Sequence, residues 1–425
     1  MEFFRAEGIS KRTLSGIFLL KILSGLVLWA IYTFYYTDRA TADIYKYFDD
    51  SAVIFNSLKT HPADYLKLLS GIGNNTPAFD HYYAEMHYWA RKVDSSVYND
   101  SHTIIRFNAL VRLFSFGYYN VHTVVICFLS LTGLTAIYKT FVSHLRDKKR
   151  ELLCAIFLLP SVLFWGSGVL KEGLIFFALG LLIYYSNYLF RPKALALCLL
   201  TALLLAFSKF YVWLAIFPGI AFMLWISKTS PRQLVLKFFI VITVIGTLGL
   251  NIDSFTNIQN PLVTLSQKQY EFDQLAYGKL SDSNNKPIPA ANSVIRINTL
   301  EPTLSSFIKN SPLALINTTF RPYIWETRSS PMMLFAAAEN LLIIALLSLC
   351  IIFIRPLKNI QWSYVIFCMS FVVIQFLIIG ETTPILGAVA RYKTIALPFL
   401  VIALLFILDK EKLLKKLPFY GRIFI

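Results

Sequence analysis

The feature that most constrains this chain is a series of apolar runs, each about as long as a membrane is thick. A helix rises about 1.5 Å per residue, so about 20 apolar residues cross the roughly 30 Å hydrocarbon core of a bilayer. Hydrophobic residues make up 56% of the 425 residues and charged residues only 15%, whereas about a quarter of the residues in a soluble domain are charged. The sequence therefore predicts an all-α integral membrane protein, folded as a single polytopic domain over residues 1–425.

We expect about ten transmembrane helices. The first run, residues 14–36, is too long and too aromatic for a signal peptide and lacks a small-residue cleavage site, so it is predicted to be retained. The apolar stretch of residues 152–190 is about twice one span and is broken at Gly166-Ser167-Gly168, which predicts a helical hairpin. The predicted spans are residues 14–36, 118–138, 152–165, 174–190, 194–208, 212–226, 238–250, 332–354, 364–379 and 395–408.

The net charge of +16 follows the predicted topology and does not form a nucleic-acid-binding surface. If the N-terminus is cytoplasmic, the cytoplasmic segments hold 20 Lys and Arg residues against six acidic residues, whereas the external segments hold 19 against 18. Cytoplasmic loops of membrane proteins are enriched in Lys and Arg. This distribution predicts an even number of spans with both termini cytoplasmic, and we expect a multi-pass protein of the cytoplasmic (inner) membrane.

Two predicted external loops are long, residues 37–117 and 251–331, and loops of this size usually carry function. Residues 55–69 and 104–116 are predicted to form amphipathic helices that lie along the membrane surface. The five Cys residues all fall inside apolar runs, and the six His residues show no metal-ligand spacing. We therefore expect no structural disulfide, no metal and no cofactor.

Four aspartates follow the first predicted span, at Asp38, Asp43, Asp49 and Asp50. A carboxylate near the external interface could act as general base for an acceptor hydroxyl if it is positioned and unpaired. The alternative is an acidic, solvated helix start, where aspartate interacts favourably with the helix dipole. The candidate catalytic residues are Asp43, Asp49 and Asp50.

Cations, acids and aromatic residues also lie at the predicted external ends of spans. Lys171 could bind a lipid phosphate or simply pair with its neighbour, and Arg321 is suited to bidentate binding of phosphate. An aromatic belt and snorkelling cations are the alternatives, whereas an acid within a span usually faces the helix bundle. The candidate substrate-binding residues are Lys171, Glu172, Arg321, Trp325, Glu326, Glu339, Arg391 and Tyr392.

Three short motifs resemble the C superfamily of membrane glycosyltransferases, which includes protein mannosyltransferase-like and aminoarabinose-transferase-like enzymes. They are Asp43-Ile44-Tyr45-Lys46-Tyr47 after the first span, Arg391-Tyr392 before a last span that contains Pro398, and the stretch of residues 321–326, similar to one in bacterial envelope-polysaccharide proteins. The Asp-Glu pair usual in that family is absent, and the nearest pair is Asp49-Asp50.

The resemblance implies an inverting transfer of a sugar from a polyprenyl-phosphate donor to a glycan, lipid or protein acceptor outside the cytoplasm. It also implies that Asp43 is the base, that Lys171, Arg321 and Arg391 hold the donor phosphate, and that the chemistry needs no metal.

Two other functions remain open. A polysaccharide polymerase or ligase of the O-antigen type also has about ten to twelve helices and a long late external loop, here residues 251–331. A transporter or flippase of lipid-linked sugars would place acids or cations near the middle of the membrane, and the sequence shows few of these. No nucleic acid is expected as a partner.

Overall fold

The computed structural model of the chain describes residues 2–36, 39, 42–90, 98–227, 232–256, 258–279, 290–327 and 330–417. Within these ranges the regular structure is helical, with three isolated β-bridges and no strand, so the predicted all-α class is confirmed. The α-helices are α1 (Lys11–Ala30), α2 (Asp43–Thr60), α3 (Pro62–Ser70), α4 (Asp80–Ala84), α5 (Ser101–Ser115), α6 (Tyr119–Phe141), α7 (Lys149–Leu153), α8 (Pro160–Trp165), α9 (Lys171–Ser186), α10 (Pro192–Ser208), α11 (Phe210–Ile226), α12 (Leu234–Leu250), α13 (Pro261–Ala276), α14 (Leu304–Phe320), α15 (Pro331–Ile352), α16 (Trp362–Thr382), α17 (Leu386–Tyr392), α18 (Leu397–Ile407) and α19 (Lys410–Lys416).

Four helices of the described residues are long and apolar enough to cross a membrane, and a bent pair makes a fifth candidate. The four are α1 with its continuation to Tyr35, α6, α15 and α16, and the pair is Leu386–Ile395 with Leu397–Ile407, bent by 59°. The apolar helices α10, α11 and α12 have 17 residues each. These helices indicate a membrane protein, while the ten spans and their orientation stay predictions.

Proline divides two segments that the sequence analysis treats as single helices. The predicted span 152–165 consists of α7, a π-helical turn at Cys154–Leu158, and α8, which begins at Pro160. The predicted amphipathic helix 55–69 is likewise divided between α2 and α3, and α3 begins at Pro62. Proline lacks a backbone N–H and crowds the preceding turn, so it starts a helix more readily than it continues one.

Two other predictions of local structure agree with the described residues. The predicted helix 104–116 corresponds to α5. The glycine-containing break inside residues 152–190 separates α8, which ends at Trp165, from α9, which begins at Lys171.

Contacts within the chain divide it into two compact units. Unit 1 comprises Met1–Ile137, Val162–Tyr185 and Phe190–Phe210, and unit 2 comprises Tyr138–Ser161, Ser186–Leu189 and Tyr211–Ile425. Each unit contains apolar candidate spans together with helices of one of the two long predicted loops.

The amphipathic helices of unit 1 pack through their apolar faces. Ile44 and Ile54 of α2, Leu68 of α3 and Ile104 of α5 are all fully buried in one apolar cluster. Apolar residues three or four positions apart share one face of a helix, so helices of this pattern stabilise one another by burying that face.

Unit 2 contains a close packing of α14 against α16. A Cβ placed on Gly380 of α16 would lie 2.3 Å from the backbone oxygen of Ala314 in α14, which is closer than any side chain can approach. Gly380 therefore lets the two helix backbones meet and fixes the positions of the polar residues beside it.

Candidate functional site

Asp49 and Asp50 in unit 1 are each engaged by neighbouring groups. Arg39 donates from Nε and Nη2 to the two carboxylate oxygens of Asp49, at 2.9 and 2.6 Å, in an exposed ion pair. The buried Asp50 carboxylate accepts the backbone N–H groups of His87 and Tyr88, both at 2.8 Å. Burial raises the pKa of the Asp50 carboxyl, and these two hydrogen bonds oppose that rise. Asp50 therefore fastens the 87–88 segment to α2, and Asp49 is neutralised by a cation.

Asp43 has different surroundings, which it shares with Lys171. Its carboxylate accepts a hydrogen bond of 2.5 Å from the hydroxyl of Tyr88, whose ring centroid lies 5.1 Å from that of Tyr47. The Lys171 ammonium lies 5.3 Å from the centroid of the Tyr47 ring and is close enough to Asp43 for their charges to interact. We call Asp43, Tyr47, Tyr88 and Lys171 the Asp43 cluster.

The structure pairs Lys171 with a residue that the sequence analysis did not select. Lys171 Nζ donates to Asp100 Oδ1 at 2.7 Å and to Ser101 Oγ at 3.2 Å, and Lys209 Nζ lies 3.3 Å from Asp100 Oδ2. Burial alone would raise the pKa of the Asp100 carboxyl, but the two ammonium groups outweigh it and hold this pKa well below its usual value. Two cations thus share one carboxylate, and Glu172 is buried next to Lys171 in the first turn of α9.

In unit 2, the predicted residues of the 321–326 stretch form one closed turn at the end of α14. Arg321 donates from Nε to Glu326 Oε1 at 2.8 Å, and Glu326 Oε2 accepts the backbone N–H of Tyr323 at 2.9 Å. Trp325 is 80% exposed and its ring stacks on that of Tyr323 at 4.8 Å. The guanidinium of Arg321 is therefore held by a carboxylate, while one face of Trp325 is open.

Lys393 is not among the predicted site residues, and it holds this turn from its position directly after α17. Its buried ammonium donates to the backbone oxygens of Thr318 and Arg321, at 3.0 and 2.8 Å, and to Asn340 Oδ1 at 2.8 Å. A cation on the terminal carbonyl groups of a helix satisfies acceptors that have no partner within the helix. Its neighbours Arg391 and Tyr392 lie in α17, where the Tyr392 ring is 6.1 Å from that of Phe272.

Glu339 is buried, as its depth in a predicted span leads us to expect. Its Oε1 accepts the backbone N–H of Ser161 at 2.9 Å, in the first turn of α8. An anion at a helix N-terminus satisfies an amide that has no partner within the helix and complements the helix dipole. This contact gives Glu339 a role in anchoring α8 that requires no substrate.

The predicted site residues therefore form two sets. Asp43, Asp49, Asp50, Lys171 and Glu172 belong to unit 1, and Arg321, Trp325, Glu326, Glu339, Arg391 and Tyr392 belong to unit 2. Asp38 lies outside the described residues. No group of three or more His, Cys, Asp or Glu side chains in the described ranges could hold a metal ion. Comparison of the chain with protein-family models, with curated proteins and with solved structures finds no match.

Proposed function

We propose that the protein is a glycosyltransferase of the cytoplasmic membrane. It would move a sugar from a polyprenyl-phosphate donor to an acceptor hydroxyl on the outer side of that membrane. The observation that carries the proposal is the Asp43 cluster, in which one carboxylate, one buried ammonium and two tyrosine rings lie together in a helical membrane protein.

The cluster contains the two charges that such a transfer needs. Asp43 takes the proton of the acceptor hydroxyl while the acceptor oxygen attacks the anomeric carbon and the bond from that carbon to the phosphate oxygen breaks. The leaving group is polyprenyl phosphate, and the ammonium of Lys171 stabilises the negative charge that it gains. One new glycosidic bond replaces one sugar–phosphate bond, so the reaction needs no oxidant and no further reactant.

The surroundings of the cluster suit a substrate that is part anion and part sugar. Lys171 and Lys209 bring two ammonium groups to the carboxylates of Asp100 and Asp43, and an ammonium group is a donor that can bind a phosphate. The rings of Tyr47 and Tyr88 pack against each other next to the two charges and form an apolar side of the cluster. The apolar helices of the chain would give a lipid-linked donor access from the bilayer.

Sugar transfer in proteoliposomes tests the proposal. Purified protein is reconstituted with a panel of radiolabelled polyprenyl-phosphate sugars and membrane acceptors, and the wild type is compared with Asp43→Asn. We expect the substitution to lower the rate by about 10²- to 10⁴-fold, the usual contribution of a general base. The matched control is Asp80→Asn, an exposed aspartate of unit 1, which should leave the rate unchanged.

The outcomes separate the candidate functions. Transfer that survives in Asp43→Asn would remove this residue as the base. Absence of transfer by the wild type from every monosaccharide donor would favour the polymerase or ligase, whose donor is a lipid-linked oligosaccharide. That second function is favoured by α13 and α14 and by the exposed Trp325 beside Arg321, all of which belong to the long segment 251–331.

A further inference from the structure

A polar cleft in unit 2 contains two buried groups that none of the described residues satisfies. It is lined by Asn298, Asn310, Asn317 and Glu381, together with apolar residues of α14. Glu381 is 2% exposed and Asn317 is 3% exposed. Among the described residues, no hydrogen-bond partner reaches Glu381 Oε1 or Asn317 Nδ2. A buried polar atom without a partner lowers the stability of a protein by about 1–3 kcal/mol. A ligand that forms hydrogen bonds with these two groups would remove this cost.

The position of these groups is set by the packing of α14 on α16. Gly380 brings the two helix backbones together at Ala314, and the next residue in α16 is Glu381. Gln269 donates from Nε2 to the backbone oxygen of Glu381 at 2.7 Å and so holds the end of α16. These contacts fix the backbone of Glu381 at the cleft, where its Oε1 meets no hydrogen-bond partner among the described residues.

The chemistry of the cleft excludes two classes of ligand. A bound cation needs several oxygen ligands, but Asn310 Oδ1 already accepts from Asn298 at 3.1 Å, and Asn317 Oδ1 accepts from Arg321 at 3.3 Å. The group that Asn317 leaves unsatisfied is a donor, which repels a cation. An anion such as phosphate is repelled by the carboxylate of Glu381.

A neutral hydroxyl group meets both requirements. It can donate its hydrogen to Glu381 Oε1 and accept from Asn317 Nδ2, so that one group satisfies both atoms. The cleft is narrow, so it takes the hydroxyl-bearing edge of a ligand and not a large apolar body.

We infer that Glu381 and Asn317 form a subsite that binds hydroxyl groups of a sugar. The choice of a sugar over another alcohol rests on the proposed function, since both the donor and the acceptor of such a transfer carry hydroxyl groups. The subsite recognises hydroxyl groups and needs no charge on its ligand.

The test measures sugar binding apart from sugar transfer. Purified full-length protein in detergent is titrated with a panel of common hexoses and N-acetylhexosamines, and binding is followed by saturation-transfer NMR. We expect the wild type to bind at least one of them and Glu381→Gln to weaken that binding at least tenfold. Asn317→Asp keeps an acceptor for Arg321 but removes the free donor, so it should weaken binding as well.

A matched control and a folding measurement keep the test decisive. Glu301→Gln alters an exposed glutamate of unit 2 and should bind sugar like the wild type. Size-exclusion chromatography establishes that each variant is folded. Absence of binding by the wild type, or binding that Glu381→Gln and Asn317→Asp leave unchanged, would overturn the inference.

Two further arms identify the source of the sugar and separate this inference from the proposed function. If a polyprenyl-phosphate sugar displaces the bound monosaccharide, the cleft takes the donor sugar, and if the monosaccharide stays bound, the cleft takes the acceptor.

Sugar binding that depends on Glu381 in a protein without transferase activity would refute the proposed function alone. Transfer that Glu381→Gln and Asn317→Asp leave unchanged, together with unaltered sugar binding, would refute the subsite alone.

Discussion

At the scale of single residues, three aspartates of one helix have three different environments. Asp43, Asp49 and Asp50 lie within eight residues of α2, but successive helical residues point in directions about 100° apart. Asp49 therefore meets the exposed Arg39, Asp50 turns into the unit and binds two backbone amides, and Asp43 meets the hydroxyl of Tyr88. The environment, not the residue type, makes Asp43 the candidate base.

The surroundings of Asp100 lead us to predict how the stability of the protein depends on pH. Two ammonium groups lower the pKa of the Asp100 carboxyl against the effect of burial. An aspartate has a pKa of about 3.9 in the unfolded chain. When folding lowers the pKa of a carboxyl group, that group stabilises the folded state at any pH above its unfolded pKa. This stabilisation is lost as the pH falls from the unfolded pKa toward the folded pKa. We expect Asp100→Asn to lower the Tm by a similar amount at every pH from about 5 to 8, and the difference from the wild type to shrink below about 4.

Thermal unfolding of the purified protein in detergent, followed across this pH range, checks the prediction. Asp80→Asn serves as the control because Asp80 is exposed. A difference in Tm that disappeared between pH 5 and 8 would mean that Asp100 titrates there and is not held by Lys171 and Lys209.

At the scale of helices, each unit uses buried polar contacts as well as apolar packing. In unit 1, His122 of α6 hydrogen-bonds to Ser115 and Asn108 of α5, both at 2.8 Å, and all three side chains are fully buried. In unit 2, Lys148 donates to the backbone oxygens of Leu405 and Leu408 at the end of α18. Such contacts satisfy buried polar groups that would otherwise be costly, and they specify which helix ends meet.

The close contact at Gly380 leads us to predict that a larger residue there disturbs the packing of α14 on α16. In Gly380→Ala the new methyl group meets the backbone of Ala314 and must push α14 from α16, which should cost about 1–3 kcal/mol. We expect a lower Tm in detergent and weaker sugar binding at the adjacent Glu381.

The matched control is Gly246→Ala in α12, where a Cβ meets nothing within 4 Å. Alanine is favoured over glycine inside a helix by about 1 kcal/mol, so this variant should keep or raise the Tm. If Gly380→Ala unfolded at or above the temperature of the wild type, the close contact of the two helices would be wrong.

At the scale of the whole molecule, the orientation in the membrane remains the main expectation to test. The excess of Lys and Arg in one set of segments predicts that both termini are cytoplasmic and that residues 37–117 and 251–331 are external. The described structure supplies four or five candidate spans, and three of the remaining predicted spans correspond to the shorter apolar helices α10, α11 and α12.

Thiol labelling in intact cells tests this orientation. Single exposed positions are replaced by cysteine in a chain whose five native Cys residues are changed to Ser or Ala. We expect a membrane-impermeant reagent to label Ile72→Cys and Ile258→Cys in intact cells, because both positions are exposed in predicted external loops. Lys358→Cys, exposed in a predicted cytoplasmic segment, should react only after permeabilisation. Labelling of Lys358→Cys in intact cells would reverse the orientation.

The sequence by itself determined the helical class, the membrane-length apolar runs and most helix positions, because hydropathy, prolines and glycine-containing breaks act on residues close in the chain. It could not say which ionisable groups meet. Lys171 pairs with Asp100 across 71 residues, and Lys393 binds the oxygen of Thr318 across 75. The cleft at Glu381 depends on the contact of Gly380 with Ala314, in another helix. Only the tertiary structure decided these contacts. Packing between helices that are distant in the sequence determines whether a side chain is neutralised, buried or left exposed.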